Sequence, residues 1–201
     1  MEMDVADARR RTDAAVIRAS LDHVEQFGML YDRYVVMLYR YAYRRLGPDG
    51  AEEVVAETFS SAFRHRGRYD PERTDARPWL FGILIREIAL RRRATEAHYR
   101  ALLRMHPDRP TPGPEDRVAD GVTAQALRGL LVAALSTLAP ADRDVLLLIA
   151  GRDLSYREVA QALHIPVGTV RSRLNRARRI IRAALGGTDP THVGEDPGRA
   201  T

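Results

Sequence analysis

The chain has 201 residues, enough for one ordinary domain or two small ones. It carries 32 basic against 27 acidic side chains, a net charge of +5, and every basic side chain is arginine. Cysteine is absent, which excludes disulfides, thiolate metal sites and a cysteine nucleophile, and no apolar run approaches the roughly 20 residues of a membrane span.

The basic balance favours a polyanionic partner, most often nucleic acid. An all-arginine composition also follows from a GC-rich genome. Either way, each basic contact can be a planar fork suited to phosphate and to guanine edges. The opening residues, MEMDVADARRRTDAAV, mix charges around no apolar centre and predict no secretory leader. Together with the missing cysteines this points to the cytoplasm.

Residues 1–20 are polar and read as a flexible N-terminus. From Leu21 to Leu46 the apolar positions Phe27, Leu30, Tyr31, Tyr34, Leu38, Tyr41 and Ala42 recur at helical spacing, and Gly47-Pro48-Asp49-Gly50 ends the helix. A second helix is expected from Ala51 to His65, with Val54, Val55, Thr58, Phe59 and Ala62 inward. Residues 67–77, GRYDPERTDAR, read as a charged loop. A third helix starts at Pro78, a residue favoured at the first helical position. It carries Trp79, Leu80, Ile83, Leu84, Ile88 and Leu90 toward Met105.

Pro107 to Asp116, PDRPTPGPED, is a linker by composition. Residues 122–138 predict an amphipathic helix, and Pro140 opens another, buried through Val145, Leu146, Leu148 and Ile149. Two short helices follow Gly151, from Ser155 to Leu163 and from Val167 to Leu185, before a Gly/Pro/Asp-rich tail. No strand competes with these patterns. The expected fold is all-α: helical domains at 21–106 and 122–185 on a flexible linker, 107–121, with a disordered tail at 186–201.

The segment SYREVAQALHIPVGTVRSRLNRARR, residues 155–179, carries the strongest local signal. Ser155 and Glu158 form a capping box that sets the start of a helix. Val159, Ala160 and Leu163 face inward, and His164-Ile165-Pro166 is a short turn. The next helix buries Val170, Leu174, Ala177 and Ile181 and shows Arg171, Ser172, Arg173, Asn175, Arg176, Arg178 and Arg179. That is a helix-turn-helix whose second helix is dense in groove-reading and phosphate-binding groups. A solvated basic hairpin would share the charge, but not the coincidence of cap, turn, small residue and apolar spacing. At the turn, His164 is expected in the left-handed backbone region, where His is tolerated better than most residues other than Gly.

Glu52, Glu53 and Glu57 lie near one helix face. No histidine stands at ligand spacing among them, so a solvated or partner-docking face is the better reading than a metal or acid–base site. No P-loop, catalytic triad or metal motif occurs, and neither a cofactor nor a small-molecule substrate is expected.

These motifs resemble the sigma-70 family of RNA polymerase sigma factors, in its extracytoplasmic-function class. LSYREVAQALHIPVGTVRSRLNRARRIIRAAL is similar to sigma region four. YDRYVVMLYRYAYRRLG, AEEVVAETFSSAFRHRGRYD and ARPWLFGILIREIALRRR are similar to the opening, clamp-docking and promoter-melting helices of region two. The resemblance spans residues 24–185. It implies a non-enzymatic subunit that binds the clamp and flap of core RNA polymerase, directs promoter recognition and strand opening, and is held by an anti-sigma factor.

By position, the resemblance puts Arg171, Ser172, Asn175 and Arg176 at base edges of the minus-thirty-five element, and Thr169, Arg173 and Arg178 on phosphate. It assigns the minus-ten region to Arg68, Tyr69, Arg77, Trp79 and Arg86, and polymerase docking to Glu52, Glu53 and Glu57. The chain departs from the family pattern at Gly50, where relatives carry Asp, at Ala56, where they carry Gln, and at Ile85-Arg86, where they carry Arg-Asn. Two rivals remain at this level. One is a LuxR-like helix-turn-helix regulator that is not a polymerase subunit. The other is a helical protein that sequesters a partner without touching DNA.

Overall fold

The computed structural model describes residues 11–105, 124–151 and 153–185. Among these there is no strand. The expected linker 107–121 and tail 186–201 lie outside the described residues, as do residues 1–10.

The first lobe is built from α1 (Asp13–Asp22), a 3-10 turn (Val24–Phe27), α2 (Gly28–Leu46), α3 (Pro48–His65), a second 3-10 turn (Arg66–Arg68) and α4 (Arg77–Met105). The second contains α5 (Ala124–Thr137), α6 (Pro140–Ala150), α7 (Tyr156–Leu163) and α8 (Val167–Ala184). Gly47 separates α2 from α3 at φ 76°, a conformation that glycine adopts without a Cβ clash. Pro48 then begins α3 at once, three residues ahead of the expected start at Ala51, because its fixed φ and missing N–H suit a first turn.

In the first lobe α2, α3 and α4 pack through Leu30, Leu38, Tyr41, Phe59, Leu80, Phe81 and Leu84, all buried. Tyr41 meets the Phe81 ring edge-on at 5.6 Å, a favoured aromatic geometry. In the second lobe Val145, Leu148, Val159, Val170, Leu174 and Ala177 are at most 1% exposed, so α6, α7 and α8 close around one small core.

One expectation is corrected. The N-terminal segment is not loose as far as residue 20. Thr12 caps α1 by accepting from the Ala15 N–H (3.3 Å), and Val16, Ile17 and Ser20 are buried on one face. Their apolar content was too slight to stand out as a periodic pattern. The two lobes are also in direct contact, through α4 and α7. At the centre of that seam, a Cβ on Gly82 would stand 2.7 Å from the Ala162 carbonyl oxygen. Only a residue without a side chain permits this approach.

Candidate nucleic-acid interface

The helix-turn-helix is assembled from local rules. The Ser155 hydroxyl accepts from the Glu158 N–H (3.4 Å), and a Glu158 carboxylate oxygen accepts from the Ser155 N–H (2.6 Å), completing the capping box. His164 ends α7 at φ 52°, ψ 46°, the left-handed conformation expected of it, with its side chain exposed. Its position lets the Ile165 N–H reach back to the Ala160 carbonyl (3.0 Å), which closes the helix and turns the chain into α8.

On α8 the residues Val170, Leu174, Ala177 and Ile181 are buried, and Arg171, Ser172, Asn175, Arg176 and Arg179 are exposed. Thr169, Arg173 and Arg178 are half-buried at the flanks of that face. The Ser172 hydroxyl donates to the Thr169 carbonyl (3.0 Å), which leaves its oxygen able to accept. Arg176 is tethered to Asp142 at 3.3 Å, and Asp142 is itself buried in the first turn of α6. That tether was not foreseen. Its signal was a short acid next to an apolar run, Asp142 ahead of Val145 to Ile149.

The expected minus-ten residues do not form a single cluster. Tyr69 is buried, donates to the Arg73 carbonyl (2.7 Å) and sets its ring 5.0 Å from that of half-buried Trp79. Burial, reinforced by the carboxylates of Asp13 and Asp75, pushes the Tyr69 phenol well above its ordinary range, so it remains a neutral donor. A cleft of about 390 Å³ gathers Trp79, Arg86 and Arg73 from the first lobe and Gln161 and His164 from the second. Arg68 is exposed and does not line the cleft. Arg77 is held by Asp75 within its own lobe and by Glu158 across the seam.

Glu52, Glu53 and Glu57 are all exposed. Glu57 pairs with Arg64 (2.6 Å) and Glu53 pairs with Arg91, so the face alternates in sign rather than being purely acidic. Glu53 and Glu57 line a shallow groove with Glu87, Leu90 and Arg91, which Glu52 does not join. The structure explains the glycine at position 50. A Cβ there would stand 2.8 Å from that of Leu46, so the close packing of α3 against the end of α2 leaves no room for Asp.

Across the seam the charges are sorted by lobe. Arg44 meets Asp153 (2.6 Å), Arg45 meets Asp144 (2.8 Å) and Arg77 meets Glu158 (2.7 Å), while the Tyr41 hydroxyl donates to Asp144 (3.2 Å). Burial raises both Asp144 and Asp153 above the ordinary carboxylate value, opposed by Arg45 and Arg44 respectively.

Comparison with known proteins follows the same division. Residues 30–97 match the family described as Sigma-70 region 2, and residues 128–181 match Sigma-70, region 4. The ECF RNA polymerase sigma factor SigL of Mycobacterium tuberculosis is 35% identical over 157 residues, 78% of this chain and 86% of that protein. Among solved structures, CnrH in complex with the cytosolic domain of CnrY superposes with a TM-score of 0.61 at 26% identity, covering 87% of this chain and 97% of that one. RpoE from Bartonella quintana, solved with the anti-sigma factor NepR, shares the fold with a TM-score of 0.60 at 21% identity, over 81% of this chain and 98% of that one.

Proposed function

The chain belongs to the sigma-70 family, as a sigma factor of the extracytoplasmic-function class that directs transcription initiation, and from that premise we propose how its surfaces divide the task. The second lobe anchors on duplex DNA through the major groove. Arg171, Ser172, Asn175 and Arg176 meet base edges, and Thr169, Arg173 and Arg178 hold phosphate. The first lobe docks on core polymerase through the groove beside Glu53 and Glu57, with Glu52 at its margin. It captures the separated strand with Arg68, Tyr69, Arg77, Trp79 and Arg86.

The observation that carries this reading is that both regions occur on one chain in family order, with the exposed face of α8 on the second. A LuxR-like regulator would leave residues 30–97 without a role. The chain works in the cytoplasm and catalyses nothing itself; the polymerase supplies the chemistry. An anti-sigma factor serves as its antagonist.

The closed seam is a stored form within this proposal. Arg77 is engaged by Glu158, and Trp79 and Arg86 share their cleft with Gln161 and His164. Parting the lobes frees that face for single-stranded DNA. The deciding experiment adds the purified chain to bacterial core RNA polymerase and assays initiation on genomic fragments. Start sites that appear only with the chain support the proposal, whereas duplex binding without initiation returns the reading to a conventional regulator.

A further inference from the structure

The helix that precedes the family-matched residues does more than cover the core. Asp13, at its first position, is 4% exposed, yet its carboxylate is fully engaged. One oxygen accepts from Arg33 (2.6 Å); the other accepts from the Ala76 N–H (2.7 Å) and from the Tyr34 hydroxyl. The Asp13 N–H in turn donates to the Thr74 carbonyl (3.1 Å). One residue therefore joins two groups on α2 to two backbone groups at the end of the charged loop that leads into α4.

The other end of α1 holds the start of the same segment. Arg66 Nε donates to the Ser20 carbonyl (3.2 Å), and a Cβ placed on the neighbouring Gly67 would stand 3.8 Å from the Leu21 side chain. Helix α1 thus lies across residues 66–76 and is bonded near both ends. Between those points the loop is folded on itself by the Asp70 turn, where the carboxylate accepts from the Glu72 N–H (3.1 Å), and by the bond from Tyr69 to the Arg73 carbonyl.

From this geometry we infer that α1 is a splint for the strand-capturing loop and that Asp13 is its positioning residue, setting Arg68, Tyr69 and Arg73 for single-stranded promoter DNA without touching DNA itself. The inference rests on the first lobe's proposed role. It adds a determinant outside residues 30–97, the span that matches region 2.

The test uses the full chain assembled with core polymerase, on a promoter located by mapping the start sites that the chain creates. Three quantities are compared for wild type, Asp13→Asn and Asp13→Ala: core affinity, permanganate-detected opening of the duplex promoter, and amide exchange along the chain. Asp13→Ala should speed exchange at residues 69–76 and reduce opening, each by about tenfold, the scale of one charge-assisted hydrogen bond. Core affinity and exchange in α2 and α3 should stay within about twofold of wild type, which a merely structural residue would not allow. Asp13→Asn, which keeps one acceptor oxygen, should fall between. If Asp13→Ala does not fold, Tyr34→Phe removes a single donor to the same carboxylate and should show a smaller change confined to the same loop.

Equal loss of core affinity and opening, or opening unchanged in the presence of faster loop exchange, would overturn the inference. A wild-type chain that supports no initiation defeats the underlying functional reading instead, so the two failures are distinguishable.

Discussion

Arg77 and Glu158 stand 81 residues apart in sequence, and their side chains meet at 2.7 Å across the seam between the lobes. The other oxygen of the same carboxylate accepts from the Ser155 N–H and completes the cap of α7. Glu158 therefore serves two structures at once, the start of its own helix and the closure of the molecule.

The two roles separate by substitution. Glu158→Gln keeps an acceptor for the Ser155 N–H but loses the charge facing Arg77. It should leave the second lobe's thermal stability nearly unchanged while weakening closure. Because the pair is partly exposed, worth up to about 1 kcal/mol, affinity of the free chain for a single-stranded minus-ten oligonucleotide should rise by about two- to fivefold. Glu158→Ala should also lose the Glu158 half of the capping box, while the Ser155 hydroxyl keeps its bond from the backbone N–H at 158, at up to about 1 kcal/mol of second-lobe stability. Interlobe distances from fluorescence transfer, alongside melting curves, check both; a Gln variant as closed as the parent would show that Arg77 contributes nothing to the seam.

On α8, exposed Arg171 should discriminate between sequences, since a bidentate base contact is worth about 1–3 kcal/mol. Arg171→Ala should weaken binding to the chain's own upstream element more than to random duplex. Arg176→Ala should do the same, less cleanly, because Arg176 is already tied to Asp142. Arg173→Ala should weaken both duplexes alike and reduce the salt slope by about one phosphate's worth. Binding titrations over a range of salt decide the matter, and equal losses for Arg171 on both duplexes would move it to the phosphate group.

His164, at φ 52°, yields a prediction about stability. His164→Gly should be neutral or stabilising by at most about 1 kcal/mol, with duplex binding retained, because glycine enters the left-handed region without a Cβ penalty. His164→Val should destabilise the second lobe by about 1–2 kcal/mol, since a β-branched side chain fits that region poorly. Denaturant melts of the two variants are sufficient, and a Val variant as stable as the parent would remove this account of the turn.

What could be read from the sequence was whatever neighbouring residues decide together. The capping box, the turn at His164 and the spacing Val170–Leu174–Ala177–Ile181 lie within 27 residues, and each is a local rule, so the helix-turn-helix and its outward arginines stood out. Helix α1 was missed because two of its four buried residues, Asp13 and Ser20, are polar and hide the apolar stripe. The seam was missed for a different reason. Arg44, Arg45, Asp144 and Asp153 look like ordinary solvated charges, and pairing across about a hundred residues leaves no periodic trace. Arg68 precedes α4 in the charged loop and is not among the residues that line the cleft with Trp79 and Arg86, a separation that closeness in sequence does not reveal.

Gly82 sits inside α4, where glycine costs about 1 kcal/mol relative to alanine. Nothing within the first lobe requires that sacrifice; the 2.7 Å approach of the Ala162 carbonyl does. One methyl group at this position would pull apart two properties that usually move together. It would make the first lobe more resistant to heat and loosen that lobe's grip on its neighbour. A screen for thermal robustness alone would therefore drift toward a molecule that no longer keeps itself shut.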